Sequence, residues 1–157
     1  MCIRDSTKDL YAPACTGLGE LYLEGVGTTE DVEKGVAYIL EGCEGEDWWG
    51  CYRLGELYDE GRGVEVDPLK AFELHQTACS EGVVMSCIRM ATAYETGIGV
   101  APDINRAAEL YGQGCREKHI SSCYELGRLY AEGEGVVGSP LVACLLYTSP
   151  SPRDNRV

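Results

Sequence analysis

The chain has 157 residues, 45% of them hydrophobic, which is enough for one compact domain and too little for two large ones. A formal net charge of −13 has the wrong sign for attraction to phosphate, which argues against a nucleic-acid partner and favours a basic one. One Phe beside 20 Gly, 10 Tyr and 9 Cys suits many short packed elements, and no apolar run approaches the ~18 residues needed to span a bilayer.

The two ends mirror each other at the level of DNA. Residues 144–149 (CLLYTS) back-translate as TGT CTC TTA TAC ACA TCT. The reverse complement, in another frame, reads ATG TGT ATA AGA GAC and encodes residues 1–5 (MCIRD). An inverted repeat of this kind is what a transposase-based sequencing adapter leaves. Residues 1–6 and 144–157 are therefore expected to be adapter-derived, with repeats filling 7–143. On that expectation Met1 is no biological start, and Cys2 and Cys144 are not native cysteines.

Between these ends, helices are predicted at 12–24, 31–44, 48–60, 67–81, 84–96, 103–117 and 120–132. In the third, Cys51, Leu54, Leu57 and Tyr58 share one face of a 3.6-residue period. Gly61 ends it, since glycine accepts the left-handed conformation of a helix C-terminus, and Gly63 helps the chain reverse. Asp67 is a good N-cap for the fourth, and Pro68 fits the first helical position, where no amide hydrogen is needed. Ala71, Phe72, Leu74, His75 and Ala78 give that helix its apolar face, and Gly82 follows it. An eighth helix is expected from Ser139, cut short after Ala143. Its apolar end, LVACLLY, would lack a capping neighbour and leave the chain marginally stable.

The elements repeat. Cys15, Cys51, Cys87 and Cys123 open the odd-numbered helices at a constant step of 36, and Asp31, Asp67 and Asp103 open the even-numbered ones at the same step. A fixed period in this range means an array of helix pairs, each stacked on its neighbours. The expected fold is all-α, a superhelical solenoid. The Leu-Gly-x-Leu-Tyr core, as at Leu54–Tyr58, the Gly-x-Gly-Val turn and the Asp-x-x-Lys-Ala opening of the second helix resemble Sel1-like repeats. The pattern is also similar to tetratricopeptide repeats, with a longer glycine-rich loop and Cys51 where that pattern has Trp. Ala91 departs from the glycine of the other units, and Gly35 from the alanine of later second helices; both are expected to weaken packing locally.

Six cysteines form three C-x7-C pairs: Cys43 with Cys51, Cys79 with Cys87, and Cys115 with Cys123. Each pair spans the turn from one unit's second helix to the next unit's first, within plausible reach of a disulfide. A second scheme, beginning with Cys15 to Cys43, would join the two ends of a hairpin. The local scheme is preferred because it leaves no internal cysteine alone. Each such closure would stabilise by about 2.5 kcal/mol on the loop-entropy estimate. Cys15 is then left over, its partner position being Thr7. No C-x2-C or C-x-x-C-H occurs, so zinc, dithiol redox and haem sites are not expected, and no cofactor is implied.

A C-x7-C in every unit makes the chain similar to the Helicobacter cysteine-rich protein family. That resemblance implies an oxidising compartment, periplasmic or secreted, and brings with it a β-lactamase label. A serine β-lactamase needs Ser-x-x-Lys. Here Ser80 is followed by EGV, Ser86 by CIR and Ser121 by SCY, and neither HExxH nor Gly-x-Ser-x-Gly occurs. His75 and His119 occupy different repeat positions and point to no shared site. No catalytic or metal-binding residue is therefore assigned. The expected function is a protein or peptide scaffold, with an assembly factor as one form of it; the competing reading is a penicillin-binding or weakly β-lactam-hydrolysing protein. Solenoids bind along a concave face, for which Tyr52, Glu56, Tyr124 and Arg128 are the candidates, being first-helix residues turned from the core. The Trp48–Trp49 pair is expected to pack between units.

Overall fold

The computed structural model describes residues 8–132, with side chains from Tyr11 onward. Seven helices follow in order: α1 Lys8–Glu24, α2 Val32–Glu44, α3 Trp48–Glu60, α4 Pro68–Ser80, α5 Val84–Thr96, α6 Ile104–Arg116 and α7 Ile120–Glu132. Each helix packs against the next, and α1 also touches α3, as stacked helix pairs require. The helix expected from Ser139 lies outside the described residues.

Six helices are 13 residues long and α1 is 17. The difference is a turn ahead of Pro13. A proline reads as a helix start because it lacks the amide an interior position needs, yet here the helix runs through it. Elsewhere the ends follow local chemistry. Asp31, Asp67 and Asp103 each accept a hydrogen bond from the backbone N–H three residues on, all at 3.1 Å. Gly61 and Gly97 close α3 and α5 in the left-handed region, at φ 69° and 74°. The turn between units is likewise one motif used three times. Asp47, Val83 and His119 donate their N–H to Gly42, Ala78 and Gly114, and the residue before each has positive φ: Glu46, Gly82 and Lys118.

The core runs along the stack. Leu23, Ile39, Leu54 and Leu57 fill the space between the first two pairs. Phe72, Met90, Ala91, Tyr94, Ala107, Ala108, Tyr111, Leu126 and Leu129 fill the next two interfaces. Burying an aliphatic or aromatic side chain of this size stabilises by roughly 1.5–3 kcal/mol. Trp48 packs against Cys51, Tyr52 and Ala78, while Trp49 is half-exposed beside Tyr52 with ring centroids 4.8 Å apart.

Gly35 corrects an expectation. A Cβ added there would lie 2.7 Å from Leu23, and one on Gly19 would lie 2.7 Å from the Gly35 carbonyl oxygen. Glycine at both positions lets α1 and α2 approach more closely than an alanine would permit, so Gly35 is a condition of the packing and not a weak point in it.

Candidate functional site: the face of the odd-numbered helices

Cysteines cross-link every described junction between units. Cys43–Cys51, Cys79–Cys87 and Cys115–Cys123 are disulfides with Cα–Cα distances of 4.6, 4.8 and 4.6 Å. The local turn brings each pair together, because only eight residues separate a last helical turn from a first one. Cys15 corrects the expectation that it would be left over: it is buried and disulfide-bonded. The first junction gains a polar contact as well, Thr16 Oγ1 donating to Asp47 at 2.5 Å.

On the face built by α1, α3, α5 and α7, charges tie the units a second time. Arg53 on α3 reaches back to Glu20 on α1, Nε to Oε1 at 3.0 Å. One unit later Arg89 on α5 reaches back to Glu56 on α3. These are the same repeat positions, 33 residues apart in each case. At the third junction the polarity is kept and the contact moves one helical turn: Arg128 on α7 pairs with Glu95 on α5, again 33 residues back, and also with Glu125 at 2.9 Å and Glu132 at 2.7 Å on its own helix. The chain thus carries an inter-unit ladder of ion pairs. Separately such pairs are worth little at a surface; as a partly buried network they fix the geometry of neighbouring units.

Glu56 is the most enclosed rung. Tyr52 donates to its Oε1 at 2.5 Å, and Arg53 and Arg89 both pair with it. Burial by itself would raise its carboxyl pKa, but these hydrogen bonds hold it below the ordinary carboxylate range. Burial pushes the Tyr52 phenol up. Arg128 is held above the usual guanidinium range, first by its bond to Glu125 and then by Glu95.

The four expected surface residues therefore divide. Tyr124 is 54% exposed and Arg128 is partly exposed. Tyr52 and Glu56 are 5% and 7% exposed: Tyr52 lies in the core with Cys51 and Ala78, and Glu56 under Arg53 and Arg89, neither on open surface. A single helical wheel places them outward; Tyr52 is covered by Trp48, Trp49 and Ala78, and Glu56 by the neighbouring unit's arginine. Sequence reasoning missed Glu20, Arg53, Arg89 and Glu95, although the recurrence of Glu and Arg at a spacing of 33 is visible in the chain.

Behind the ladder, one position of the even-numbered helices meets one of the odd-numbered ones inside each pair. In the first pair Ile39 meets Leu23 in the core. In the second, His75 Nε2 lies 3.3 Å from Asp59 Oδ2. In the third, the Tyr111 hydroxyl donates to Glu95 at 3.2 Å and lies 3.1 Å from Thr92 Oγ1. Burial pushes the Tyr111 phenol up to about 12. His75 is 3% exposed, and its Nδ1 has no hydrogen-bond partner. A groove of about 260 Å³ opens over it between α3 and α5, lined by Asp59, Phe72, Arg89, Thr92, Thr96 and Ile98 among others.

Of the serines weighed for the β-lactamase label, Ser80 Oγ donates to the Thr77 carbonyl, Ser86 is fully buried and Ser121 is exposed. Among the described residues no cluster of three or more His, Cys, Asp and Glu is placed to hold a metal ion, and no helix is long and apolar enough to cross a membrane.

Comparison with known proteins places this geometry. The Sel1 repeat model matches residues 12–47, 50–83, 84–119 and 120–148. A protective antigen of uropathogenic Escherichia coli with an SLR fold superposes with a TM-score of 0.84 at 29% identity, over 87% of this chain and 29% of that one. A Sel1 repeat protein of Oxalobacter formigenes gives 0.81 at 27% identity, over 87% and 56%. Cysteine-rich protein B of Helicobacter pylori gives 0.62 at 24% identity, over 77% and 98%, and shows the shared fold alone. The chain thus spans under a third of the first of these proteins and a little over half of the second. No curated protein matches the chain.

Proposed function

The chain belongs to the Sel1 repeat family, and from that premise we propose that it is a disulfide-stapled scaffold that holds partner proteins along the face of α1, α3, α5 and α7, in the periplasm or as a secreted protein. The observation that carries this reading is that every described junction is tied twice, by a disulfide at one side and by a Glu–Arg rung on the odd-helix face. A surface held in one geometry loses less entropy on binding, which is the purpose a preorganised scaffold serves. Three disulfides of one register fit an oxidising compartment, where such bonds persist. The Sel1 fold is typically a non-catalytic scaffold, and the Ser–His contact among the described residues, Ser122 Oγ at 3.4 Å from His119 Nδ1, lies on a fully buried serine that no substrate reaches. The net charge of −13 favours a basic partner.

Site-specific photo-crosslinking tests the reading. A crosslinker replacing Tyr124, exposed on α7, should give an adduct of defined mass in extracts of the native source kept under non-reducing conditions. One replacing Leu69, exposed on α4, should give none. Equal labelling from both positions, or labelling from Leu69 alone, would contradict it.

A further inference from the structure

The groove between α3 and α5 differs in chemistry from the positions that correspond to it in the other units. Its polar lining consists almost wholly of acceptors. Asp59 brings a carboxylate on the rim, 39% exposed, whose one ion-pairing contact among the described residues is His75. That contact places the imidazole proton on Nε2, so Nδ1 is left as an acceptor, buried and unbonded. Thr96 Oγ1 donates its proton to the Thr92 carbonyl and is left an acceptor at the groove, while Thr92 Oγ1 donates to the Ile88 carbonyl and lies 3.1 Å from the Tyr111 hydroxyl. Arg89 is the exception, and its charge is taken up by Glu56 in the ladder. Around these acceptors, Pro68, Phe72, Ala93 and Ile98 supply apolar walls.

The neighbouring junctions do not repeat this. Between α1 and α3 the corresponding floor is Leu23 and Ile39, with no polar group to recognise. Between α5 and α7 the corresponding acid, Glu95, already has Arg128. One junction therefore keeps an acid without a cation, over a buried unbonded acceptor, in a cavity with apolar walls.

We propose that this groove is the receptor for a lysine side chain of the partner: the methylenes lie along Phe72 and Ile98, and the ammonium donates to the Asp59 carboxylate and to Thr96 Oγ1. Lysine suits the site because a compact ammonium has three rotatable donors for acceptors that converge from different directions, whereas a planar guanidinium wants paired ones. The assignment rests on the scaffold reading above and names the group its groove takes.

The test uses the oxidised full chain, ¹⁵N-labelled, with Nα-acetyl-lysine methylamide as the probe and Nα-acetyl-norleucine methylamide as the uncharged control. The lysine probe should shift the His75 ring nitrogens and the Ala93 amide saturably, and the norleucine probe should bind at least tenfold more weakly. Asp59→Asn, an exposed substitution, should weaken the lysine probe by a similar factor. Glu33→Gln, an equal change of charge on the far helix α2, should leave it unaltered. Equal shifts from both probes, no saturable shift, or equal losses in the two variants would overturn the proposal. Crosslinking from Tyr124 that survives in Asp59→Asn while lysine binding fails would remove this groove and leave the scaffold; loss of crosslinking in the unaltered chain would remove the scaffold itself.

Discussion

The first helix pair and the two after it solve one packing problem by different means. In α1–α2 the seam is glycine against glycine with Leu23 on Ile39, an apolar pair at the positions that carry titratable groups in the later units. In α3–α4 and α5–α6 the glycine of the second helix gives way to Ala71 and Ala107, and the apolar pair becomes His75 with Asp59, then Tyr111 with Glu95. The 36-residue period conserves shape while leaving the chemistry of a position free. Close approach holds the first pair; hydrogen bonds join the later two, and the His75–Asp59 pair also lines a groove.

The largest expected effect breaks the comparison at its tightest point. Gly19→Ala drives a Cβ into the Gly35 backbone and should lower stability by about 3 kcal/mol, after the gain of alanine in helix propensity. Gly55→Ala meets only the His75 ring, at 2.6 Å, and should cost about 1–2 kcal/mol. Urea denaturation of both variants checks the order; equal losses would mean that the first seam is no closer than the second.

Next in size is the staple between the two regions. Cys43→Ser with Cys51→Ser should cost about 2.5 kcal/mol by the loop-entropy estimate and uncouple the apolar pair from the rest. Hydrogen exchange should then show α1 and α2 opening independently of α5 to α7; a single cooperative transition would argue otherwise.

Glu56→Gln removes the charge that Arg53 and Arg89 share and should cost about 2 kcal/mol. Its folded pKa is lowered from 4.5, so its contribution is present above that value and is lost as pH falls through the folded one. Acid titration of stability should therefore be shallower in the variant.

The smallest effect, about 1 kcal/mol, is expected for Tyr111→Phe, which deletes the bond to Glu95. With its folded pKa raised from 10.0 to about 12, Tyr111 stabilises fully below pH 10, and that contribution is lost between the two values. Alkaline unfolding in that window should be less steep in the variant.

Most of the helix bounds, and the proximity of Cys43, Cys79 and Cys115 to their partners, were legible because the signals are local: an aspartate cap, a glycine stop, a short spacing. The four turns of α1 were only partly so, since Pro13 imitates a helix start. The burial of Glu56 was illegible for a different reason. It depends on Arg89, 33 residues further along Glu56's own face of the stack, and no property of α3 alone reveals it. Gly35 looked like a loss of packing because its value lies in Leu23, across the seam.

The most direct measurement is a non-reducing peptide map with free-thiol counting, on protein alkylated as it leaves its native source. The account predicts Cys43–Cys51, Cys79–Cys87 and Cys115–Cys123 as linked peptides with no free thiol among the six. Six alkylated cysteines would contradict it, leaving a reduced repeat array whose cysteine period has some other cause.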